Sequence, residues 1–217
     1  MTLDLFAAES SDLDDETLDP GAVVLRGFAL AFAARLKEDV ACVSAAAPFR
    51  HLITPGGFRM SVAMTNCGPL GWVSDRSGYR YDPVDPASGA HWPALPDAFR
   101  TLAREAAARA GYANFAPDAC LVNRYAPGAR LSMHQDRDEK DLRAPIVSVS
   151  LGLPAVFLWG GAERGAPARK VALQHGDVVV WGGPSRLRFH GVQALKDGDH
   201  PFAGEHRINI TFRKVRA

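Results

Sequence analysis

Seven histidines are spread over the 217 residues, and two of them stand two places before an aspartate: His134-Gln135-Asp136 and His175-Gly176-Asp177. In an extended segment residues i and i+2 share a face, so His-x-Asp offers an imidazole and a carboxylate to one ion. Two histidines and one carboxylate leave three coordination positions open, the arrangement of non-haem Fe(II) oxygenases. About 0.8 such pairs are expected by chance, so neither pair makes a metal site by itself. His175-Gly176-Asp177 runs into three valines and reads more simply as a turn feeding a strand. His134-Gln135-Asp136 follows Pro127-Gly128 and the apolar Ala129 and Leu131, and can open a strand at a barrel mouth. The first pair is favoured; both stay open.

A third ligand has to come from a distant segment. His190 ends Leu187-Arg188-Phe189-His190, where alternation sets Leu187 and Phe189 on one face and Arg188 and His190 on the other. A histidine on a polar strand face is more often exposed than ligating, so its candidacy rests on the polar strand nearer the C-terminus. In that strand, Arg207-Ile208-Asn209-Ile210-Thr211-Phe212-Arg213, the arginines, Asn209 and Thr211 share one face, and Ile208, Ile210 and Phe212 the other. Turned into a barrel, two guanidiniums and an amide are costly without an anion. A small dicarboxylate gripped by an arginine at each end would satisfy them. Turned outward, the same face would meet solvent or phosphate.

These residues need a scaffold. Gly21–Arg26 reads as a short strand, and Phe28–Ala45 as a helix with Phe28, Phe32, Leu36 and Val40 at helical spacing. Leu95–Ala110 predicts a second helix that buries Phe99, Leu102, Ala103 and Ala106, with Gly111 at its C-cap. Between them, residues 46–94 carry turn signals at Pro55-Gly56-Gly57 and Ser77-Gly78. Phe58, Met60, Val62 and Met64 alternate there as in a half-buried strand. From about Ala119 short strands succeed one another: Cys120–Tyr125, Ile146–Leu151, Val156–Trp159, Val178–Trp181, Leu187–Val192 and Ile208–Phe212. Helices first and an all-β half afterwards make the fold class α+β, with a sandwich or jelly-roll barrel.

Composition narrows the field. The chain is 47% hydrophobic and 23% charged, which fits a globular domain with a real core and excludes disordered or collagen-like classes. Cys42, Cys67 and Cys120 show no C-x-x-C spacing and read as small buried side chains in a reducing cytosol. No apolar run approaches a membrane span, and the acidic N-terminus is unlike a signal peptide. The net charge of +1 hides an asymmetry. Seven of the 24 acids lie in residues 1–20, which hold no Lys or Arg, so the remainder carries 25 bases against 17 acids, a net of +8. An acidic, flexible leader on a basic body points to a polyanionic partner, or to a plain solvated tail.

The chain resembles the AlkB family of Fe(II)- and 2-oxoglutarate-dependent nucleic-acid demethylases, its bacterial members above all. The resemblance covers nearly everything after the leader. It is densest at T-P-G-G-F (54–58), S-V-A-M-T-N-C-G (61–68), N-R-Y-A-P-G-A (123–129) and H-Q-D-R-D-E (134–139). It continues through P-I-V-S-V-S-L-G-L-P-A (145–155), H-G-D-V-V-V-W-G-G (175–183) and R-I-N-I-T-F-R (207–213). It implies iron on His134, Asp136 and His190, with His175 and Asp177 structural. Arg207 and Arg213 are the implied salt-bridge partners of 2-oxoglutarate, with Asn123, Tyr125 and Asn209 adding hydrogen bonds.

The resemblance further implies a double-stranded β-helix (jelly-roll) core over 116–217. Residues 21–115 would hold the N-terminal helices and a hairpin nucleotide-recognition lid (46–94), with the leader at 1–20. Trp72 would stack on a flipped base with His134 approaching its other face. Tyr79, Arg130 and Arg164 would lie near the nucleic acid, and Asp138 beside the base edge. The implied enzyme is a cytoplasmic, monomeric DNA-repair dioxygenase. It would use Fe(II), O2 and 2-oxoglutarate to demethylate 1-methyladenine and 3-methylcytosine in single- or double-stranded DNA, with RNA as a further substrate. Formaldehyde, succinate and CO2 would be released. Phe58, Pro69, Arg130 and Leu158-Trp159 depart from the family pattern, none at a metal or 2-oxoglutarate position. A protein or small-molecule substrate, and a non-catalytic binding module, are the alternatives.

Overall fold

The computed structural model describes residues 14–217, and within them apolar alternation divides the strand side chains between two cores. The chain enters as β1 (Glu16–Asp19) and β2 (Ala22–Leu25) and passes a single 3-10 turn into α1 (Ala33–Ala46). It runs on through β3 (Arg50–Ile53), β4 (Arg59–Cys67), β5 (Gly71–Asp75) and β6 (Gly78–Asp82) to α2 (Asp97–Arg109). Next come β7 (Ala119–Tyr125), β8 (Leu131–His134), β9 (Ile146–Gly152) and β10 (Ala155–Trp159). The last strands are β11 (Arg169–Leu173), β12 (Val178–Trp181), β13 (His190–Val192) and β14 (Arg207–Arg213).

The larger sheet has the order β1-β2-β12-β9-β14-β7-β4-β3, the smaller β11-β10-β13-β8, and β5-β6 is a separate hairpin. Pairing between these strands is antiparallel throughout. On one face of the larger sheet Val147, Val149, Val178, Val180, Ile210 and Phe212 pack on Leu36 and Val43 of α1 and on Phe99, Leu102 and Ala106 of α2. On the other, Ile146, Val179 and Trp181 meet Phe157, Trp159, Val171 and Leu173 of the smaller sheet. Full burial of one such side chain is worth about 1.5–3 kcal/mol, so these two stripes fix the register of every central strand. Two antiparallel sheets face one another, with helices outside the larger. Among the described residues no helix is long and apolar enough to cross a membrane.

The helices lie close to their expected places. Gly111, at φ +88°, takes the left-handed position just past the α2 C-cap Ala110. The expected start of the first helix at Phe28 is corrected to Ala33, because Leu30–Phe32 wind as a 3-10 turn. The half-buried strand expected from Phe58 is corrected too. Phe58 is 76% exposed at a hairpin turn, whereas Val62–Cys67 are buried on both faces, because Val62 and Met64 pack into the core between the sheets while Thr65 and Cys67 face the helical side.

The acidic leader expected over 1–20 is corrected at its end. Residues 1–13 lie outside the described residues, but Glu16–Asp19 form an edge strand, not a solvated tail. Its acids have partners: Glu16 pairs with Arg26 and Arg169, and Asp19 with Arg188 at 3.2 Å and with the Trp159 indole at 2.6 Å. The acids on this strand thus neutralise bases that a charge count left to a polyanion.

Candidate metal and co-substrate site

Alternation along β14 sends Arg207, Asn209, Thr211 and Arg213 away from the helical core and into the space between the sheets, where all four are buried. The opposing β9 carries Ser148 and Ser150 inward by the same rule, and β7 carries Asn123 and Tyr125. A period-two pair of serines in the valine-rich Ile146–Gly152 is the sequence signal for this wall of the cleft, one that the search for metal ligands passes over.

The inward polar groups are organised by one another. Asn209 donates through Nδ2 to Ser148 Oγ (2.8 Å) and the Val149 carbonyl (2.9 Å), and its Oδ1 accepts from Asn123 Nδ2 (3.0 Å) and Thr211 Oγ1 (3.1 Å). Arg207 is 1% exposed, stacks its guanidinium 4.9 Å from the Tyr125 ring centre, and donates through Nη2 to Ser150 Oγ (2.8 Å). Its Nε and Nη1, and Asn123 Oδ1, are buried without partners. Burial lowers the Arg207 pKa, and no carboxylate offsets it. A guanidinium held this way is a site awaiting an anion.

Arg213 differs. Its Nε and Nη2 both donate to Asp136 Oδ2 (3.1 and 3.0 Å), and Glu139 Oε1 lies 3.4 Å from Nε. Burial opposes its charge, but Asp136, Tyr81 and Glu139 outweigh that and raise its pKa. Burial would likewise push Asp136 up, but Arg213 and the two histidines hold its carboxylate far below the ordinary range. The two arginines thus differ in their protein partners: Arg213 pairs with the carboxylates of Asp136 and Glu139, and Arg207 with none.

Asp136 faces two imidazoles. Its oxygens lie 3.7 Å from His134 Nε2 and 3.8 Å from His190 Nε2, and ligand atoms of all three residues fall within 4.8 Å of one another. His134 Nδ1 bonds the Ser132 carbonyl (2.8 Å) and His190 Nδ1 the Arg188 carbonyl (3.0 Å). An imidazole that donates from Nδ1 presents the Nε2 lone pair, here toward the carboxylate. Burial, then the neighbouring His134, lowers the His190 pKa to about 4, which favours the neutral ring that a metal would require.

Local geometry explains the convergence. His190 and His134 are register partners on β13 and β8, next to an irregularity where Val192 pairs with Leu131. Such bulges re-aim side chains beside sites. A Cβ on Gly191 would lie 2.7 Å from the Leu131 carbonyl, so only glycine lets the two ligand strands approach this closely. The strand expected over Leu187–Val192 is shortened to His190–Val192. The chain from Gly183 to Arg188 instead winds through 3-10-type bonds and drives Arg186 inward. His190 thus faces the site from the start of a strand, not by the alternation expected of Leu187–His190.

His175-Gly176-Asp177 lies apart from this cluster as a turn. Asp177 accepts from Gly27 N and Arg26, and His175 Nδ1 accepts from Gly152 N at 3.0 Å. Of the remaining expected residues, Trp72 and Tyr79 stack on the β5-β6 hairpin at 5.5 Å and 13°, and Trp72 Nε1 donates to Asp138 Oδ2 at 3.1 Å. Arg164 donates to the Met133 carbonyl (3.1 Å) over the Phe189 ring, and Arg130 exchanges backbone bonds with Ser61 Oγ on β4. Sequence reading places Glu139 in the H-Q-D-R-D-E run and Tyr81 near Trp72 and Tyr79, but gives neither of them nor Arg186 a role, because the three meet only in the fold.

The donor set fits a first-row divalent metal: two imidazoles and one carboxylate, with their outer nitrogens already engaged. The orphaned Arg207 nitrogens and Asn123 oxygen, in a cleft with two guanidiniums, fit a small dicarboxylate beside it.

Comparison with known proteins agrees with that chemistry. The model of the 2OG-Fe(II) oxygenase superfamily matches residues 21–213. The chain is 60% identical to the alpha-ketoglutarate-dependent dioxygenase AlkB of Salmonella typhimurium and 57% identical to that of Escherichia coli, covering 98% of both partners in each case. Among solved structures, that of OsALKBH1 superposes with a TM-score of 0.81 at 30% identity, over 93% of this chain and all of the other.

Proposed function

The chain belongs to the AlkB family of the 2OG-Fe(II) oxygenase superfamily, and on that premise we propose that it removes N-linked methyl groups from nucleic-acid bases. It is a dioxygenase that uses Fe(II), 2-oxoglutarate and O2. The observation that carries the substrate reading is the aromatic pair Trp72–Tyr79, joined by the indole hydrogen bond to Asp138, two residues beyond Asp136. A half-buried indole stacked on an exposed phenol, next to the metal-binding segment, suits a base taken out of its stack.

In this reading His134, Asp136 and His190 hold the iron. Arg207, with Tyr125 and Asn123 beside it, receives the distal carboxylate of 2-oxoglutarate, while Asn209 keeps Asn123 oriented. Arg213 steadies Asp136 and supplies positive charge to the proximal end. Held by these residues, the metal and its co-substrate would supply the oxidising power to hydroxylate an N-methyl carbon with O2, the overall products being the restored base, formaldehyde, succinate and CO2. Trp72 stacks on the base, worth about 1–3 kcal/mol and tolerant of base identity. Methylation at N1 of adenine or N3 of cytosine makes the ring cationic, and Asp138 favours that ring over a normal one. Such lesions also block pairing, which lowers the cost of extrusion. Tyr79, Arg130 and Arg164 contact the strand. Residues 46–94 act as the recognition lid, 21–115 as the segment that carries it, and 116–217 as the jelly-roll core.

The protein works as a monomer in the cytoplasm, on single- or double-stranded DNA and on RNA. The test is one assay in which 1-methyladenine and 3-methylcytosine are offered in matched single- and double-stranded DNA and RNA. Formaldehyde release from at least one methylated strand and none from unmethylated strands is expected. Consumption of 2-oxoglutarate that ignores every methylated strand would move the substrate to another class of molecule.

A further inference from the structure

Two hydrogen bonds join the β5-β6 hairpin to the segment just beyond Asp136. Trp72 and Tyr81 are cross-strand partners, so their side chains share a face of the hairpin. Trp72 reaches Asp138, and the Tyr81 hydroxyl donates to Glu139 Oε1 at 2.5 Å. Glu139 is buried and receives Arg186 Nη2 at 3.0 Å on its other oxygen. Arg186 also donates to the Asp136 carbonyl (2.6 Å) and the Ala144 carbonyl (3.0 Å), which fixes the backbone of the ligand segment at two points. Arg213 stands between the two carboxylates: 3.0 and 3.1 Å from Asp136 Oδ2, 3.4 Å from Glu139 Oε1. Buried charges here number two of each sign, Arg186 and Arg213 against Asp136 and Glu139, all at least nine-tenths covered.

We propose that Tyr81 and Glu139 are positioning residues for Asp136, which link the seating of the hairpin to the geometry of the metal ligand. Glu139 Oε1 has two donors within reach, the Tyr81 hydroxyl and Arg213 Nε. While the phenol occupies that oxygen, Arg213 keeps both N–H groups on Asp136. Without the phenol the carboxylate is short of a donor in a buried site and draws Arg213 toward itself. Asp136 then loses part of the clamp that orients it. The same bond transmits the other way, since an ordered Asp136–Arg213–Glu139 chain holds Tyr81 and, across the hairpin, Trp72. The inference rests on Asp136 as a metal ligand and is independent of the substrate.

The test is titration of the full-length protein with Mn(II), a redox-stable probe, followed by calorimetry in wild type, Tyr81→Phe, Glu139→Gln and the double variant. Partners of a ligand outside the coordination sphere typically control metal affinity by about 10–100-fold. One step further out, Tyr81→Phe should weaken Mn(II) by about 5-fold and Glu139→Gln by about 10-fold, with the double variant no weaker than Glu139→Gln alone. The metal-free thermal midpoint of Tyr81→Phe should fall by only the few degrees that one lost buried hydrogen bond costs, about 2–4 °C, with the fold retained. Hydrogen exchange reads the link itself: Mn(II) should slow exchange across residues 78–82 in wild type and not in Tyr81→Phe. Affinity of Tyr81→Phe within twofold of wild type, or losses that multiply in the double variant, would overturn the proposal. Should Glu139→Gln fail to fold, the Tyr81→Phe affinity and exchange decide alone. A wild type that takes no Mn(II) sinks the metal reading; one that binds, with Tyr81→Phe unchanged, sinks only the coupling.

Discussion

The floor of the cleft and the hairpin above it are built on opposite principles. On the floor, β14 lies between β9 and β7, and its polar side chains are held by hydrogen bonds from two neighbouring strands. The β5-β6 hairpin belongs to neither sheet, Tyr79 is 49% exposed, and two side-chain bonds to Asp138 and Glu139 tie it to the metal-binding segment. The difference teaches where precision is needed. Coordination and co-substrate binding require atoms fixed before the ligands arrive, so those groups sit on paired strands or, for Asp136 just beyond β8, under the clamp of Arg213. Recognition of a base needs a surface that can open, and a lone two-stranded ribbon is marginal without outside support.

That contrast can be broken most forcefully at the fixed groups of the cleft, first at His190 on the sheet that faces the floor. His190→Ala should abolish formaldehyde release, by about 10³-fold or more, since metal catalysis contributes several kcal/mol. Retained turnover would remove His190 from the ligand set. Next in size is the inequality of the two arginines. Arg213→Met leaves the buried Asp136 carboxylate without its cationic partner and should destabilise the metal-free protein by about 3–5 kcal/mol, read by urea unfolding. Arg207→Met removes a buried charge that has no carboxylate, so the metal-free protein should be as stable as wild type or more so. Its KM for 2-oxoglutarate should nonetheless rise about 10–100-fold, as expected for a lost charge-assisted bond worth about 1.5–3 kcal/mol. Equal destabilisation by both substitutions would erase the asymmetry.

On the hairpin the expected effects are smaller and separable. Trp72→Ala should raise KM for a methylated oligonucleotide about 10-fold, in line with about 1–3 kcal/mol of stacking, while KM for 2-oxoglutarate stays put. A matching rise in both would mean that the hairpin is part of the floor. The smallest effect lies away from both regions, at His175. Burial, then the neighbouring His200, lowers the His175 pKa below 6.5, and its Nδ1 accepts from Gly152, the register partner of Arg207. The unfolded chain therefore takes the proton first as pH falls. The contribution is complete above pH 6.5 and fades as pH drops through the depressed value. Urea midpoints at about pH 7.5 and about pH 5.5 should show that slope, and His175→Asn should flatten it.

How much of this could be read from the sequence differs along the same line. The alternation of Arg207–Arg213 was legible because a period of two survives any tertiary context that keeps the strand buried on one side. So was the stripe of α2. The inequality of Arg207 and Arg213 was not, since their partners Ser150, Asp136 and Glu139 come from other segments and no local pattern announces them. The leader misled for a related reason. Acids counted without partners read as solvated, but Glu16 and Asp19 find Arg26, Arg169 and Arg188 only once β1 docks. At Leu187–Phe189 a strand-like pattern yielded to the inward turn of Arg186, whose three donors serve the ligand segment. The resemblance to a family supplied the ligands' identity; it could not supply which side chains hold them still.

The central claim, that a preset floor does the oxidation and the hairpin delivers the base to it, meets its most direct test in one ratio. Succinate and formaldehyde are measured together during turnover of a 1-methyladenine oligonucleotide by wild type and by Trp72→Ala. The account predicts one formaldehyde per succinate in wild type, and in Trp72→Ala a persisting succinate yield with formaldehyde falling well behind. Loss of both products together in Trp72→Ala, or succinate without formaldehyde in wild type, would contradict it.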